Sequence, residues 1–534
     1  METASTPPVD AVKGDTQARA KHSSTNRQIR GSSLMLVGRT ISMVANFAIQ
    51  VLIVRYLSKA NYGAFAYAMS FVTLGQTIAT FGLDRAITRF VPIYHEHRDY
   101  NKMFGTILLV IGTIVSLGTL MILSAYFFQG FIGQTLLNEK EGDKDQIIAL
   151  LLILIGLAPV QALDDLIASM FAIFASPRAI FFRKYILSPG LKLSVVLLLM
   201  LFGSDEFFLA SGYLAAGILG TTVYGFTLFR TLQKQEMFKQ FHFDSLTVPA
   251  RELFAFTIPL LTSDLVYVLM SSSDAVLLGH FRSTTEVAAF RAILPSAVLN
   301  QFVLQSFTIL FTPIASRLFA RQDYEGINNL YWQTAVWTSV LSFPIFALTF
   351  SLSAPLTVLL YGEKYASSAV LLALLSFGYY FNAALGFNGL TLKVYGKLRY
   401  IVVINIIAAV VNVIINLMLI PRYGALGAAC GTCGTMIIHN FLKQAGLRFG
   451  TGISLFEFKH FKVYLSIIIA SVALLVFQSL MPQNYSPKHP YVYISFAVTG
   501  VVALAVVALN RKSLNIEQTF PELLKIPLMR KLFT

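Results

Sequence analysis

The stretch VLLGHFRSTTEVAAFRAILP, residues 276–295, decides the fold because it repeats the pattern of VLIVRYLSKANYGAFAYAMS, residues 51–70. Each stretch has two apolar residues, an aromatic residue, a serine two positions later, and then small residues before a phenylalanine. Two weaker matches follow in the same order: RFVPIY (89–94) with LFTPIA (310–315), and IGLAPVQALDD with FGYYFNAALGF. Three matches in one order predict two related halves.

The composition places these halves in a membrane. Of 534 residues, 56% are hydrophobic and 13% are charged, whereas a soluble domain carries about 25% charged residues. Fourteen apolar stretches are near or above the roughly 20 residues that a helix needs to cross a bilayer. They run over about 34–54, 63–90, 103–128, 147–174, 184–202, 207–229, 259–279, 287–314, 329–352, 366–392, 400–420, 424–445, 461–481 and 491–510. We therefore predict an all-α integral membrane protein with 14 transmembrane helices.

Basic residues are distributed unevenly among the connections between these spans. With the last turns of each span counted in the adjoining loop, 30 of the 41 Lys and Arg residues fall on the side of both termini and 8 on the other side. The remaining three, Arg39, Lys192 and Arg291, lie inside spans. Because Lys and Arg favour cytoplasmic loops, both termini are predicted to be cytoplasmic. The net charge of +15 then reflects orientation and anionic lipid, and predicts no nucleic-acid partner.

Six spans per repeat is an even number, so the two lobes are predicted to share one orientation. This is the parallel-repeat plan of alternating-access transporters, which bind substrate between the lobes. Spans thirteen and fourteen fall outside the repeat. The predicted organisation is a disordered basic cytoplasmic tail (1–33), an N-lobe with spans one to six (34–232), a cytoplasmic linker (233–258), a C-lobe with spans seven to twelve (259–450), the two extra spans (451–510) and a cytoplasmic tail (511–534).

A longer stretch, RYLSKANYGAFAYAMSFVTLGQTIATFGLDRAITRFVPIYHE, resembles the N-terminal signature of the polysaccharide-export flippases. These belong to the multidrug/oligosaccharidyl-lipid/polysaccharide (MOP) transporter superfamily. LLYGEKYASSAVLLALL and NLMLIPRYGALGAACGT resemble the C-terminal half of that family, so the likeness spans roughly residues 30–450. It implies two lobes around a polar, often cationic cavity. It also implies a multi-pass protein of the cell membrane that is not an enzyme and flips a polyprenyl-(pyro)phosphate-linked oligosaccharide to the outer leaflet.

The same resemblance implies the partners: the lipid-linked glycan, membrane lipids, and a polysaccharide polymerase or glycosyltransferases, with the protein itself monomeric. Two other functions remain as alternatives. A drug/cation antiporter of the same superfamily would favour buried carboxylates without matched cations, because its substrates are positive. A membrane glycosyltransferase or O-antigen ligase would display a long outer loop with an Arg/His/Asp set, whereas the outer loops here are short and the longest, about 129–146, lacks histidine.

Arg291 lies inside a span, where an arginine costs at least about 2.5–3.5 kcal/mol on the insertion scale. The hairpin before it turns near Ser283, with Asp274 nine residues before the turn and Arg291 eight after. Equal distance from the turn means equal depth, so Asp274 is predicted to pair with Arg291. The pair is either structural, or it holds Arg291 in the cavity as a cation that binds phosphate or glycan. A third possibility is that the side chain of Arg291 extends to the membrane interface. The arginine that precedes the proline of this helix in lipid II flippases resembles Arg291 before Pro295.

Asp164, Asp165 and Lys192 form a second matched set around a turn near Ala179. Two carboxylates against one ammonium leave a negative charge, and one Asp can then be protonated in a low dielectric. The set is predicted to be either a proton relay or a buried structural lock.

Arg39, in LMLVGRTISMV, resembles the first-helix arginine that lipid II flippases place in the central cavity. The repeat offset of 225 puts Asp264 at the equivalent position of the second lobe. We therefore expect Arg39 to bind the (pyro)phosphate and Asp264 to neutralise Arg39 across the cleft when no phosphate is present. Asp264 is then the ion-coupling residue, which takes up a proton or Na⁺ when phosphate frees its carboxylate. The alternative for Arg39 is contact with cytoplasmic headgroups.

Arg85 and Arg89 lie on one face of the span-two end, GLDRAITRF, at i and i+4. Like charges so close repel unless an anion lies between them. That anion is either a lipid headgroup or a substrate phosphate. Further into span two, this chain has Gln76 and Thr77 where the lipid II branch carries arginines.

Other motifs do not predict chemistry. Cys430 and Cys433 have redox spacing but lie in the small-residue run GALGAACGTCG, which is typical of close helix packing. Asn405, Asn412 and Asn416 recur at roughly helical spacing and either line a hydrophilic path or join helices. Neither a P-loop nor an HExxH motif occurs. We expect no catalytic residue, metal or cofactor, apart from a coupling ion, H⁺ or Na⁺.

Overall fold

The computed structural model describes residues 37–136, 144–174, 180–240, 245–482 and 489–514. Every regular element in these ranges is helical and none is a strand. The all-α prediction is therefore confirmed. The predicted tail 1–33 and most of the tail 511–534 lie outside the described residues.

The described residues of the first half of the chain form nine α-helices. They are α1 (Val37–Tyr56), α2 (Lys59–Thr80), α3 (Leu83–Glu96), α4 (Tyr100–Phe127), α5 (Gln129–Leu136), α6 (Lys144–Ile155), α7 (Leu157–Phe174), α8 (Ser188–Phe202, preceded by a π-helical turn, Phe182–Leu187) and α9 (Glu206–Lys234). We call them the N-lobe.

The second half begins with the long helix α10. Its helices are α10 (Ala250–Phe281), α11 (Thr284–Val298), α12 (Phe302–Ala320), α13 (Tyr324–Phe346), α14 (Ser353–Tyr361), α15 (Ala369–Ala384), α16 (Asn388–Val394), α17 (Leu398–Tyr423), α18 (Ala425–Thr451), α19 (Phe461–Leu480), α20 (Pro490–Leu509) and the short α21 (Arg511–Leu514). We call α10 to α18 the C-lobe.

Thirteen helical segments of the described chain are long and apolar enough to cross a membrane. They coincide with thirteen of the predicted spans. The remaining predicted span, 259–279, lies within α10, which is 32 residues long and so extends about 48 Å. The chain is a multi-pass integral protein of the cell membrane. The count of fourteen spans and the orientation of the termini stay predictions.

The two repeated hairpins pack directly against each other. A Cβ atom on Gly63 of α2 would collide with the carbonyl oxygen of Thr284, and one on Gly279 of α10 would collide with the ring of Tyr67. The glycines therefore permit a close approach of backbone and ring that other residues would block. We call the side of the membrane where the hairpins turn, at Ser58 and Ser283, the hairpin face.

Each hairpin also makes a corresponding contact within its own lobe. In the N-lobe, Asn61 donates to Glu206 Oε2 at 2.5 Å, in the first turn of α9. In the C-lobe, Glu286 Oε2 accepts from the backbone N–H of Ala425 at 2.8 Å, in the first turn of α18. In both lobes the second residue of the pair begins the sixth helix of the predicted repeat. The residue boundaries of the predicted lobes stay predictions.

Two helix irregularities position the polar residues described below. Phe81 and Gly82 have left-handed backbone angles, φ 51° and 67°, and separate α2 from α3. The π-helical turn Phe182–Leu187 precedes Pro189 in α8, and such turns are frequent at functional sites.

One hydrophobic cluster joins the two lobes, with Ile53 and Phe65 of the N-lobe and Phe290 and Leu375 of the C-lobe among its members. The last two long helices pack on α13 through a separate cluster that includes Val336. Trp337 of α13 donates to the carbonyl of Leu514 at 2.8 Å. α19 and α20 therefore attach to the outside of the C-lobe.

Candidate functional site

A cavity of about 500 Å³ lies between the two lobes. α1 and α2 form one wall, and α11 and α12 form the opposite wall. Its polar lining consists of Asn46, Gln50, Tyr62, Ser70, Thr73, Lys192, Tyr213, Arg291 and Gln305. Two of these are cations, and none of the lining residues in the described chain is Asp or Glu. The cavity is therefore cationic, and we call it the central cavity.

Arg291 reaches across the central cavity and joins the lobes. Its Nη2 donates to Ser70 Oγ of α2 at 3.0 Å and to the carbonyl of Ser271 in α10 at 3.3 Å. The Nε of Arg291 is buried and has no hydrogen-bond partner among the described residues. The guanidinium thus meets neutral acceptors and keeps one donor open.

The predicted pairing of Arg291 with Asp274 is not a direct ion pair: Asp274 bonds other residues in the described structure, although its charge and that of Arg291 interact. Arg291 does lie at the predicted depth, because it meets α10 at Ser271, one helical turn from Asp274. Equal depth does not determine which way each side chain points about its helix axis. Asp274 points toward α17 and α18 instead.

Asp274 lies in a buried polar cluster of the C-lobe, 3% exposed. It accepts from Asn416 Nδ2 at 2.5 Å and from Thr432 Oγ1 at 2.9 Å. Asn412 joins the cluster through Asn416 at 3.2 Å. The Oδ1 of Asn416 is buried and lacks a partner among the described residues. We call Asp274, Asn412, Asn416 and Thr432 the C-lobe polar cluster.

Asp164, Asp165 and Lys192 line one space and the charges of Asp164 and Lys192 interact, but neither carboxylate bonds the lysine in the described structure. The choice between a proton relay and a structural lock stays a prediction. Asp164 forms an ion pair with Arg183, and Asp165 accepts from Gln76 Nε2 at 2.7 Å. Lys192 Nζ lies 5.8 Å from the centre of the Tyr213 ring. The π-helical turn in front of α8 brings Arg183 to Asp164, a rotation that spacing from the turn could not predict.

The predicted contact between Arg39 and Asp264 is also wrong. Arg39 Nη2 donates to Gln305 Oε1 of α12 at 2.6 Å. Asp264 instead forms an ion pair with Arg85 of α3 at 2.6 Å. The first half of α10 packs on α3, where the Phe81 and Phe254 rings lie 5.7 Å apart. This packing turns Asp264 away from the central cavity.

Arg85 and Arg89 are not among the residues that line the central cavity. The side chains of Arg85 and Asp264 are 45% and 28% exposed, so their ion pair lies near water. The Arg89 guanidinium lies 4.5 Å from the centre of the Phe256 ring in α10. Both arginines contact α10, on the membrane side opposite the hairpin face.

Sequence reasoning missed the residues that close the hairpin face. Lys364 donates to the carbonyl oxygens of Arg55, at 3.1 Å, and of Leu57. Arg55 in turn donates to the carbonyl of Leu359 at 3.2 Å. The signal was present in LLYGEKY, where a helix ends at Tyr361, Gly362 follows with φ 88°, and a lysine comes two residues later.

Comparison with known proteins supplies the family. The family described as "Polysaccharide biosynthesis protein" matches residues 29–319, and the family MatE matches 259–418. An uncharacterised membrane protein of Methanocaldococcus jannaschii, MJ1068, is 21% identical over 76% of this chain and 81% of its own length. The probable low-salt glycan biosynthesis flippase Agl15 of Haloferax volcanii is 20% identical over 43% of this chain and 47% of its own length.

Solved structures show the same fold. The lipid II flippase MurJ in an inward closed conformation superposes with a TM-score of 0.68 at 17% identity, over 91% of this chain and 99% of that one. A multidrug resistance MATE family transporter in an inward-facing conformation superposes with a TM-score of 0.60 at 13% identity, over 76% and 95%. Since the first family match covers more than half of the sequence, the chain belongs to the polysaccharide biosynthesis protein family, within the MOP superfamily of membrane flippases and transporters.

Proposed function

We propose that the protein flips a polyprenyl-(pyro)phosphate-linked oligosaccharide from the cytoplasmic to the outer leaflet by alternating access, coupled to an ion gradient. The relatives point the same way, since CapF of Staphylococcus aureus, 25% identical over 35% of this chain and 48% of its own length, is a capsular polysaccharide biosynthesis protein.

The observation that carries the proposal is that Arg291 faces the central cavity and bonds only neutral acceptors. Such an arrangement costs free energy, because the charge of the guanidinium has lost its water and has no bonded counter-charge. An anion that enters the cavity and contacts the guanidinium removes this penalty. A phosphate fits because guanidinium groups bind it in a forked geometry. Lys192 adds a second positive charge to the same cavity.

The two membrane sides differ in how tightly the lobes meet. At the hairpin face, the backbone contacts of Lys364 and Arg55 and the close approach at Gly63 seal the cavity. On the opposite side, which we propose is cytoplasmic, the exposed pairs Arg39–Gln305 and Arg85–Asp264 join the lobes. Exposed ion pairs contribute only about 0–1 kcal/mol. The cytoplasmic side therefore opens first, Arg39 meets the arriving phosphate at the mouth, and Arg291 binds it within.

The C-lobe polar cluster is the proposed ion-coupling site. One carboxylate, two amide oxygens and a hydroxyl suit a hard cation such as Na⁺, and the carboxylate alone suits a proton. The unpartnered Oδ1 of Asn416 gives the cluster a free acceptor. Asp274 and the Arg291 acceptor Ser271 lie on consecutive turns of α10. A change of charge at Asp274 is therefore transmitted along α10 to the phosphate site. It changes the affinity for phosphate, and such a difference in affinity between two states is what ion coupling requires.

The test is transport of lipid-linked glycan in proteoliposomes, with and without a pH or Na⁺ gradient. Wild-type protein should flip it, and Arg291→Ala should reduce the rate by at least about tenfold, since charge-assisted hydrogen bonds contribute about 1.5–3 kcal/mol each. Arg291→Lys keeps the charge but loses the fork, so it should retain partial activity.

Arg230→Ala is the matched control, because the guanidinium of Arg230 packs on the exposed Phe226 ring of α9. It should transport at the wild-type rate. A drug/cation antiporter, the rival suggested by the MatE match, would instead move cationic dyes against a gradient and be indifferent to Arg291→Ala. Dye transport without glycan transport would overturn the proposed function.

A further inference from the structure

A second, smaller chamber of about 240 Å³ lies inside the N-lobe, between α2, α7, α8 and α9. Its polar wall consists of Gln76, Gln161, Asp164, Asp165, Arg183, Ser188, Lys192 and Thr221. The rings of Tyr213 and Tyr224 line it as well. Lys192 and Tyr213 also line the central cavity, so the two spaces adjoin. We call this space the N-lobe chamber.

The wall of the chamber contains a hydrogen-bond donor without a partner among the described residues, on the side chain of Arg183. Arg183 is 8% exposed, forms an ion pair with Asp164 and lies with its guanidinium carbon 3.6 Å from the centre of the Tyr224 ring. Its Nη1 is nevertheless buried without a hydrogen-bond partner among the described residues. Buried polar atoms are normally paired, so an unpaired donor in a cavity wall indicates a group that binds there.

The charges of the chamber do not favour a simple ion as that group. Two carboxylates and two cations line it, so neither an anion nor a cation is favoured by the net charge. The volume also exceeds the roughly 10–15 Å³ that a single water molecule needs on the same measure. A ligand that matches the charge and volume of this chamber is neutral, several times larger than water, and able both to donate and to accept hydrogen bonds.

A sugar ring meets each of these conditions. Its hydroxyl groups donate to carboxylates and accept from guanidinium, ammonium and amide groups. Its C–H face is apolar and packs on aromatic rings such as Tyr213 and Tyr224. A sugar that is joined to a phosphate in the central cavity lies next to that phosphate, which is where the shared residues Lys192 and Tyr213 put the chamber.

We propose that the N-lobe chamber is the glycan subsite, which binds the sugar nearest the phosphate while Arg291 binds the phosphate itself. This inference rests on the proposed function and deepens it. The chamber then determines which sugar the protein binds. Asp165 and Gln161 do so by forming hydrogen bonds with hydroxyl groups at particular positions of the sugar ring. The ion pair of Asp164 with Arg183 holds the guanidinium in place for this task.

The experiment compares two ligand pools. One is the lipid-linked oligosaccharide extracted from the cells that make this protein. The other is the same extract after mild acid has hydrolysed the bond between sugar and phosphate, which releases the glycan and leaves polyprenyl (pyro)phosphate. Binding of each pool to the purified full-length protein is measured by native mass spectrometry. Wild-type protein should bind the glycosylated pool at least about tenfold more tightly, since a few hydrogen bonds of modest strength give that factor.

Gln161→Ala and Asp165→Asn should each remove most of this preference and leave the binding of polyprenyl (pyro)phosphate unchanged. Gln235→Ala is the matched control, because Gln235 donates to the carbonyl of Phe174 at 3.0 Å, at the end of α7 and outside the chamber. It should keep the wild-type preference, which shows that anchoring α7 is not the cause.

The outcomes separate the two proposals. If wild-type protein binds both pools equally, or if the chamber variants keep the preference, the glycan subsite is overturned while the flippase proposal stands. If wild-type protein binds neither pool, the proposed function itself fails, and the subsite with it.

Discussion

Arg55 and Lys364 cap each other's helices across the boundary between the lobes. Lys364 Nζ donates to the carbonyls of Arg55, at 3.1 Å, and Leu57, which end α1. Arg55 Nη2 donates to the carbonyl of Leu359, 3.2 Å away in the last turn of α14. The last carbonyls of a helix lack intrahelical partners and carry the negative end of its dipole. Each cation therefore satisfies a helix end in the opposite lobe.

This reciprocal cap is expected to hold the hairpin face shut. Removing the cation in Lys364→Ala should shift the population toward opening at this face about two- to fivefold, since a cation at a helix C-terminus contributes about 0.3–1 kcal/mol. The measurement is the rate at which a membrane-impermeant maleimide labels Asn46→Cys in the central cavity, with Cys430 and Cys433 replaced by serine. Lys239→Ala, which removes only an exposed pair with Glu236, is the control. Equal labelling of both variants would contradict the cap.

The close approach at Gly63 gives a second prediction. A methyl group at Gly63 would collide with the backbone carbonyl of Thr284, which cannot rotate away. We expect Gly63→Ala to insert normally but to keep the hairpin face from closing, with a matching rise in the same labelling rate. Gly112→Ala in α4 is the control, because a Cβ there has no neighbour within 4 Å. Normal closure by Gly63→Ala would show that the hairpins separate at little cost.

Asp274 and Arg291 should couple weakly in stability measurements, because their charges interact although no bond joins them. The loss of thermal stability in Asp274→Asn plus Arg291→Ala should therefore differ from the sum of the two single losses by no more than about 1 kcal/mol. If the two residues formed a buried ion pair, the double variant would instead lose much less stability than the sum of the two single losses. In transport, Asp274→Asn should retain glycan binding and lose dependence on the ion gradient. A strongly non-additive result in this double-mutant cycle would show that Asp274 and Arg291 form the ion pair that the sequence predicted.

The ion pair between Arg85 and Asp264 is expected to act as a weak clasp on the side opposite the hairpin face. Neutralising either residue should change thermal stability by less than about 1 kcal/mol, since both side chains are partly exposed. The same variants should raise access to Asn46→Cys from that side. The charge swap Arg85→Asp with Asp264→Arg should restore the wild-type labelling rate. If the swap labels as fast as the single variants, the pair has no role in closure.

The orientation of the chain is a further expectation. A reporter that is active only outside the cytoplasm, fused after Thr534, should be silent, because the fourteen-span topology predicts 30 of the 41 basic residues on the side of the termini. The same reporter inserted after Asn138, in the longest predicted outer loop, should be active. Activity after Thr534 would reverse the proposed direction of transport.

The sequence alone determined the class of protein and its repeated plan. Long apolar stretches have no stable place but a bilayer, so the spans could be read directly. The pattern shared by 51–70 and 276–295 marked the two hairpins, and these hairpins meet each other between the lobes. Spacing from the Ser283 turn also gave the correct depth at which Arg291 meets α10, one turn from Asp274.

Only the tertiary structure decided which polar groups pair. Arg291 bonds Ser70 and Ser271 rather than Asp274, and Asp264 bonds Arg85 rather than Arg39. Sequence spacing sets how deep a residue lies along its helix, because each residue rises by about 1.5 Å. The rotation of a helix about its axis, and the helix that lies beside it, follow from the packing of many side chains at once. The central cavity and the N-lobe chamber exist only at that level, since each draws its walls from helices far apart in the chain.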